Sequence, residues 1–206
     1  MASNNNPGIS GICKEIKIID INDAQLIKDY SIKQSINIAI IGPENPLAYG
    51  VADYLWDAGI GVIGPKKNLA QIETSKSFTR NLLREYKIPG CPKFKTFTNM
   101  EGVESFLSLL GDNYVVKYDG LAGGKGVKVA GDHLHSHEEA LSYCKELIES
   151  GGLFVIERKL IGEEFSLMSF SDGENLVHMP AVQDLSLIHI SEPTRLRRIS
   201  YAVFCL

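Results

Sequence analysis

The chain has 206 residues, enough for one domain or two small ones with a real core. It is 44% hydrophobic and 22% charged with a formal net charge of −4, a balance that excludes a disordered or fibrous chain. No Lys/Arg block stands out, which argues against nucleic acid or a membrane surface as partner, and no apolar run approaches the roughly 18 residues of a membrane span.

The opening "MASNNNPGIS" has neither the basic nor the apolar segment of a secretory signal. "NDAQLIKDYSIKQ" has helical spacing through Leu26, Ile27 and Tyr30, and "NIAIIG" reads as a buried strand ending at Gly42. "PLAYGVADYLWDAG" predicts one amphipathic helix, with Pro46 near its start and Gly59 just past its end. "IGVIG" is a second short strand. Strand, helix and strand with apolar runs predict a parallel sheet covered on both faces, with ligands beyond the carboxyl ends of its strands. Two loops lie there, "GPENPLAYG" and "GPKKN"; Gly-Pro either turns the chain or frames a ligand.

"TSKSFTRNLLREYKIPG" predicts a helix capped by Thr74 or Ser75, with Phe78, Leu82 and Leu83 on its apolar face and Pro89 as its stop. A second pattern follows: strand "PKFKTF", helix "MEGVESFLSLLG", strand "NYVVKY" and strand "GVKVAG". "SHEEALSYCKELIES" is a helix opened by a capping box, Ser136 and Glu139. "LFVIERKL", "EEFSLMSFSDG" and "ENLVHMPAVQ" are strands, the last two joined at Asp172-Gly173. The fold class is therefore α/β and then α+β, a parallel sheet followed by a mainly antiparallel one, with the change near residue 73.

Between "NYVVKY" and "GVKVAG" stand Gly120, Gly123, Gly124, Lys125 and Gly126. Glycine-rich loops are entropically costly and favour positions where a backbone approaches something closely, such as a phosphate. A Walker A loop needs Lys-Ser/Thr running into a helix, and a Rossmann loop needs G-x-G-x-x-G opening one. Neither pattern is present, which leaves a glycine-rich hairpin able to close over a triphosphate, with Lys117 within reach of the same phosphates. Downstream, "VIERKLIGEE" offers a strand end and a bend whose backbone groups near Arg158 and Leu160 suit an adenine edge. Glu157 and Glu164 flank it, suited to an adenine amino group and ribose hydroxyls.

These stretches together resemble the ATP-grasp superfamily, and within it the phosphoribosylamine–glycine ligase family of purine biosynthesis. The resemblance rests on "IGPENPLAYGVADYLWDAGIGVIGP", "ETSKSFTRNLLREYKIP", "VVKYDGLAGGKGV", "VIERKLIGEE" and "MPAVQD", and covers most of residues 6 to 184. It implies that ATP phosphorylates glycine and that the amine of phosphoribosylamine attacks the glycyl phosphate, giving glycinamide ribonucleotide, ADP and phosphate. The residue roles it implies are phosphate contacts from Lys76 and Lys117, a lid formed by Gly120 to Gly126, and adenine flanked by Glu157 and Leu160. It further implies ribose on Glu164, phosphoribosylamine on Gly42, Pro43 and Glu44, and Gln183 and Asp184 beside the reacting groups. ATP and Mg²⁺ (or Mn²⁺) are the cofactors implied.

The chain departs from the family at both ends. The family's opening "GxGGREHA"-like loop and its later Glu and Asn ligands for Mg²⁺ are not matched, so no metal ligand is assigned. Residues 185–206 match nothing in the family and read as a translated read-through tail. The expected organisation is an incomplete phosphoribosylamine-binding domain over 1–72, the remnant of a doubly wound fold, an ATP-grasp nucleotide-binding part over 73–184, and the tail. Small molecules are the expected partners and the cytoplasm the expected location, with Cys13, Cys91, Cys144 and Cys205 as reduced thiols. The family activity is ligation, while residues 1 to 206 alone are expected not to turn over. The alternatives are another ATP-grasp carboxylate–amine ligase and a non-catalytic nucleotide-binding module. The histidines of "HLHSH" (His133, His135, His137) have no convincing fourth ligand and read as surface residues.

Overall fold

The computed structural model describes residues 1, 7–122, 126–162 and 165–182. The chain divides into two compact units, one of Met1–Ala70 with Glu164–Leu206, the other of Gln71–Glu163.

In the first unit a short helix α1 (Pro7–Ser10) precedes α2 (Ala24–Lys33), β1 (Ile38–Ile40), α3 (Glu44–Ala48), α4 (Val51–Asp57), β2 (Gly61–Ile63) and α5 (Lys67–Thr74), the last of which runs across the division. Asp23 caps α2 by accepting from Leu26 N–H at 2.9 Å. The buried stripe of α2 is Ala24, Ile27 and Ser31 at i, i+3 and i+7, while Leu26 points outward. β1 and β2 pair in parallel, Ala39 opposite Val62, as the strand–helix–strand pattern predicts.

The single helix expected between them is two. Gly50 at φ +83° breaks the chain after Tyr49, because a left-handed residue cannot propagate a right-handed helix. Gly59 stands at φ +76° just after the C-cap of α4, where the pattern places it. Leu47, Val51, Ala52, Leu55, Ile60 and Val62 form the core with Ile27 and Ala70. Cover on both faces of the parallel sheet is not seen among the described residues, where Ile38 and Ile40 stand exposed.

The second unit contains α6 (Lys76–Glu85), β3 (Phe94–Phe97), α7 (Val103–Leu110), β4 (Tyr114–Tyr118), β5 (Val127–Val129), α8 (His137–Glu149) and β6 (Phe154–Arg158). The strands form an antiparallel sheet in the order β3-β6-β4-β5. α6 ends in a Schellman turn: Lys87 takes φ +52°, Ile88 N–H reaches Leu83 C=O and Lys87 N–H reaches Arg84 C=O. The helix therefore stops three residues before the first position Pro89 could block. At α8, Ser136 accepts from Glu139 N–H, but Glu139 returns its bond to the N–H of His135 rather than of Ser136.

Strand alternation decides where chemistry can sit. Phe97, Tyr114, Val116, Phe154 and Ile156 face α7 and α8, whose Val103, Phe106, Leu107, Leu110, Ala140, Tyr143, Cys144 and Leu147 complete the core. Each fully buried Val, Leu, Ile or Phe among them contributes roughly 1.5–3 kcal/mol of transfer free energy. The alternate residues, among them Lys117 and Glu157, therefore share the opposite face.

Two further strands, β7 (Ser169–Ser171) and β8 (Leu176–His178), form a hairpin grouped with the first unit. Its turn spans Asp172 to Asn175, and Asp172 Oδ1 accepts from the N–H groups of Glu174 and Asn175. These bonds favour the carboxylate and hold Asp172 down at about 2.

Candidate functional site

The carboxylate of Glu157 is the centre of the candidate site. It sits on β6 opposite Val115 of β4, so Lys117, two residues along β4, lies diagonally beside it on the same face. Lys117 Nζ contacts Glu157 Oε1. From α6, Arg80 Nε donates to Oε2 at 2.6 Å and a second guanidinium nitrogen donates to Oε1 at 3.1 Å. Glu157 is 4% exposed, and burial is the largest single influence on it, pushing its carboxyl up. The Arg80 hydrogen bonds and the Lys117 charge together outweigh burial and hold it below the ordinary carboxylate range. The same hydrogen bonds raise Arg80.

A second cluster forms where α6 meets the end of β4. Ser75 caps α6, accepting from Phe78 N–H at 3.1 Å, and donates to Asp119 Oδ2 at 3.2 Å. Ser77 N–H donates to Asp119 Oδ1 at 3.0 Å and the Ser77 hydroxyl to Oδ2. Lys76 Nζ donates to Gly120 C=O at 2.9 Å, so the base of the glycine loop is tied to the helix N-terminus on both sides of one peptide. Desolvation lowers Lys76 more than the charge of Asp119 raises it. Lys76, Arg80 and Lys117 thus converge on this face beside Glu157 and Asp119, with the charge of Glu73 also acting on Lys76.

The glycines at the loop ends have a cause in the fold itself. A Cβ on Gly120, at φ +154°, would lie 2.8 Å from the Tyr118 ring, and one on Gly126 would lie 3.1 Å from Tyr118 Cβ and 2.8 Å from Ala122 Cβ. Gly152 clears the other side of the same ring. These glycines seat Tyr118, and a phosphate is not needed to explain them. Tyr118 N–H to Gly126 C=O at 2.7 Å and Asp119 N–H to Leu153 C=O at 2.8 Å close the loop base.

At the predicted adenine seat the backbone is less open than the sequence suggests. The N–H groups of Arg158 and Lys159 donate to the carbonyls of Lys93 and Asn113. Leu160 stands 67% exposed just beyond them. In the first unit, Gly42, Pro43 and Glu44 lie exposed where β1 gives way to α3, with Pro43 as N-cap and Glu44 in the first turn. Gly123, Gly124, Lys125, Glu164, Gln183 and Asp184 lie outside the described residues. Lys76, Lys117, Gly120, Gly126, Glu157 and Leu160 belong to one unit, and the first five gather around the α6–β4–β6 face.

Sequence reasoning missed Arg80, Asp119, Ser75 and Ser77 as members of the site. The available signals were the i,i+4 spacing of Lys76 and Arg80, one helix face, and the position of Asp119 between Lys117 and the glycines. Among the described residues no group of three or more His, Cys, Asp or Glu is arranged to hold a metal ion. Cys13, Cys91 and Cys144 are free thiols, and no described helix is long and apolar enough to cross a membrane.

The family models for the phosphoribosylglycinamide synthetase N domain and ATP-grasp (A) domain match residues 1–73 and 74–192. The phosphoribosylamine–glycine ligase of Methanosarcina barkeri is 47% identical over 179 residues, covering 87% of this chain and 41% of that protein. The chain thus spans about two-fifths of the length of the curated relatives it matches. Among solved structures, the phosphoribosylamine–glycine ligase of Thermotoga maritima is 32% identical with a TM-score of 0.54, over 60% of this chain and 32% of that one. D-alanine–D-alanine ligase of Bacillus anthracis complexed with ATP is 25% identical with a TM-score of 0.55, over 75% of this chain and 50% of that one. An antiparallel sheet with a glycine hairpin at its edge, a cation-rich face opposite its core, and two adjoining family matches that fill most of the sequence lead to one assignment: the chain belongs to the phosphoribosylglycinamide synthetase family.

Proposed function

We propose that the antiparallel-sheet unit is the ATP-binding part of a ligase that joins glycine to 5-phosphoribosylamine through a glycyl phosphate. The observation that carries the reading is the convergence of Lys76, Arg80 and Lys117 beside the glycine hairpin, with part of each long side chain left accessible. Such a cluster of cations, held on a sheet and a helix N-terminus, neutralises and positions a polyphosphate, which is most of what phosphoryl transfer asks of a protein. Lys76 and Lys117 take the phosphates as point charges, Gly120 to Gly126 covers them, and Leu160 lies along the adenine. Glu157 holds the two cations rather than receiving the adenine amino group through its carboxylate. Glu164 takes the ribose, Gly42 to Glu44 take phosphoribosylamine, and Gln183 and Asp184 stand near the reacting groups. Magnesium arrives with ATP and is given no ligand among the described residues. Free thiols are in keeping with a cytoplasmic enzyme.

Titration of this chain with magnesium-ATP and with adenosine tests the site. ATP is expected to bind more tightly than adenosine, and Lys117→Ala to remove most of that difference; binding of neither would overturn the reading. Ligation is tested in a protein of the relatives' full length, as phosphate release that requires both glycine and phosphoribosylamine. Release with one of them absent would point to a different ATP-grasp ligase.

A further inference from the structure

Two cations share one buried carboxylate, and they share it unequally. Arg80 occupies both oxygens of Glu157 with a planar fork, whereas the Lys117 ammonium meets the carboxylate at Oε1. A lysine that faced Glu157 alone would have its charge cancelled by a one-to-one pair. With the guanidinium in the fork, the array keeps one positive charge in excess. That excess has an accessible side, because 22% of each cation's side chain is exposed but only 6% of the carboxylate's.

We propose that Arg80 is a positioning residue of the nucleotide site: by holding Glu157 it fixes Lys117 in place and leaves the lysine's charge available to the phosphates of a nucleoside triphosphate. The inference rests on the ATP reading above. The placement of the three residues supports it. Arg80 stands one turn after Lys76 on α6, while Lys117 and Glu157 stand on the neighbouring strands β4 and β6. The ion array therefore joins the helix that carries one phosphate-directed lysine to the sheet that carries the other. Lysine at position 80 would supply charge without the fork. A plain structural brace would make no distinction between ligands with and without phosphates.

The test uses the whole chain, the variants Arg80→Met and Arg80→Lys, and two measurements. Calorimetric titration compares magnesium-ATP with adenosine, and carbon-13 NMR follows the Glu157 carboxyl through a pH titration without nucleotide. Arg80→Met is expected to weaken ATP binding roughly tenfold while weakening adenosine less than about twofold. It should also raise the pH at which Glu157 titrates, and Arg80→Lys should recover part of both effects. Equal losses for ATP and adenosine overturn the proposal, as does an unmoved Glu157 titration. If Arg80→Met does not fold, Arg80→Lys carries the same comparison, and an ATP affinity equal to wild type with Glu157 unshifted overturns it. Should the unaltered chain bind neither ligand, the ATP reading fails first, and the role of Arg80 falls with it.

Discussion

Glu157→Gln keeps the shape of a buried side chain and removes its charge. The variant loses the charge-assisted bonds from Arg80 at 2.6 and 3.1 Å and the contact with Lys117. A hydrogen bond to a charged group is worth roughly 1.5–3 kcal/mol. Relief of carboxylate burial offsets part of that loss, and both cations, partly exposed, can turn toward water. The expected net cost to the antiparallel-sheet unit is about 2–3 kcal/mol. Hydrogen exchange at the amides of the β4–β6 ladder reads this unit directly, because those amides open only when the sheet does. The pH dependence supplies the sign. Burial pushes the Glu157 carboxyl up, but Arg80 and Lys117 bring it net below its ordinary value. A depressed carboxyl stabilises the fold above its unfolded value, and that contribution disappears as pH falls through its folded value. The gap between wild type and variant should therefore be full near neutrality and close in acid, below about pH 4. A neutral-pH gap under about 0.5 kcal/mol, or one that widens in acid, would refute the reasoning.

Gly152→Ala tests the seat of Tyr118. Its Cβ would lie 2.8 Å from the ring and 2.9 Å from the Leu147 carbonyl, so a cost of about 1–3 kcal/mol is expected in thermal unfolding; an unchanged midpoint would show that the ring moves aside freely. Cys144 is buried and its thiol is pushed up to about 12 by desolvation, whereas Cys13 is exposed. Maleimide labelling of the native chain should mark Cys13 and spare Cys144, and labelling of both at similar rates would contradict the packing around α8.

The elements of the fold were legible because their causes are local. Alternation in "NYVVKY" and "GVKVAG", the cap at Ser136 and the stop at Gly59 all act within a few residues of themselves. Errors came where two local signals competed. The apolar period through "PLAYGVADYLW" runs on across Gly50, but one left-handed glycine ends a helix regardless of period. The capping box shifted by a residue because a glutamate side chain is long enough to reach either of two adjacent N–H groups.

The sequence by itself determined that this chain has a parallel strand pair, an antiparallel sheet with a glycine hairpin, and lysines beside that hairpin, which was enough to point to its family. Only the tertiary structure decided which charges meet. Arg80 and Glu157 are 77 positions apart, and Ser77 and Asp119 are 42 apart. No spacing rule reaches that far. Their contacts follow from where α6 lies across the sheet and from the register of β4 on β6, Val115 opposite Glu157. A one-residue slip of that register would turn Glu157 toward the apolar core and leave Lys117 and Arg80 with no shared partner. The same holds for Gly120, Gly126 and Gly152, whose common neighbour is one tyrosine ring that only the folded sheet brings between them.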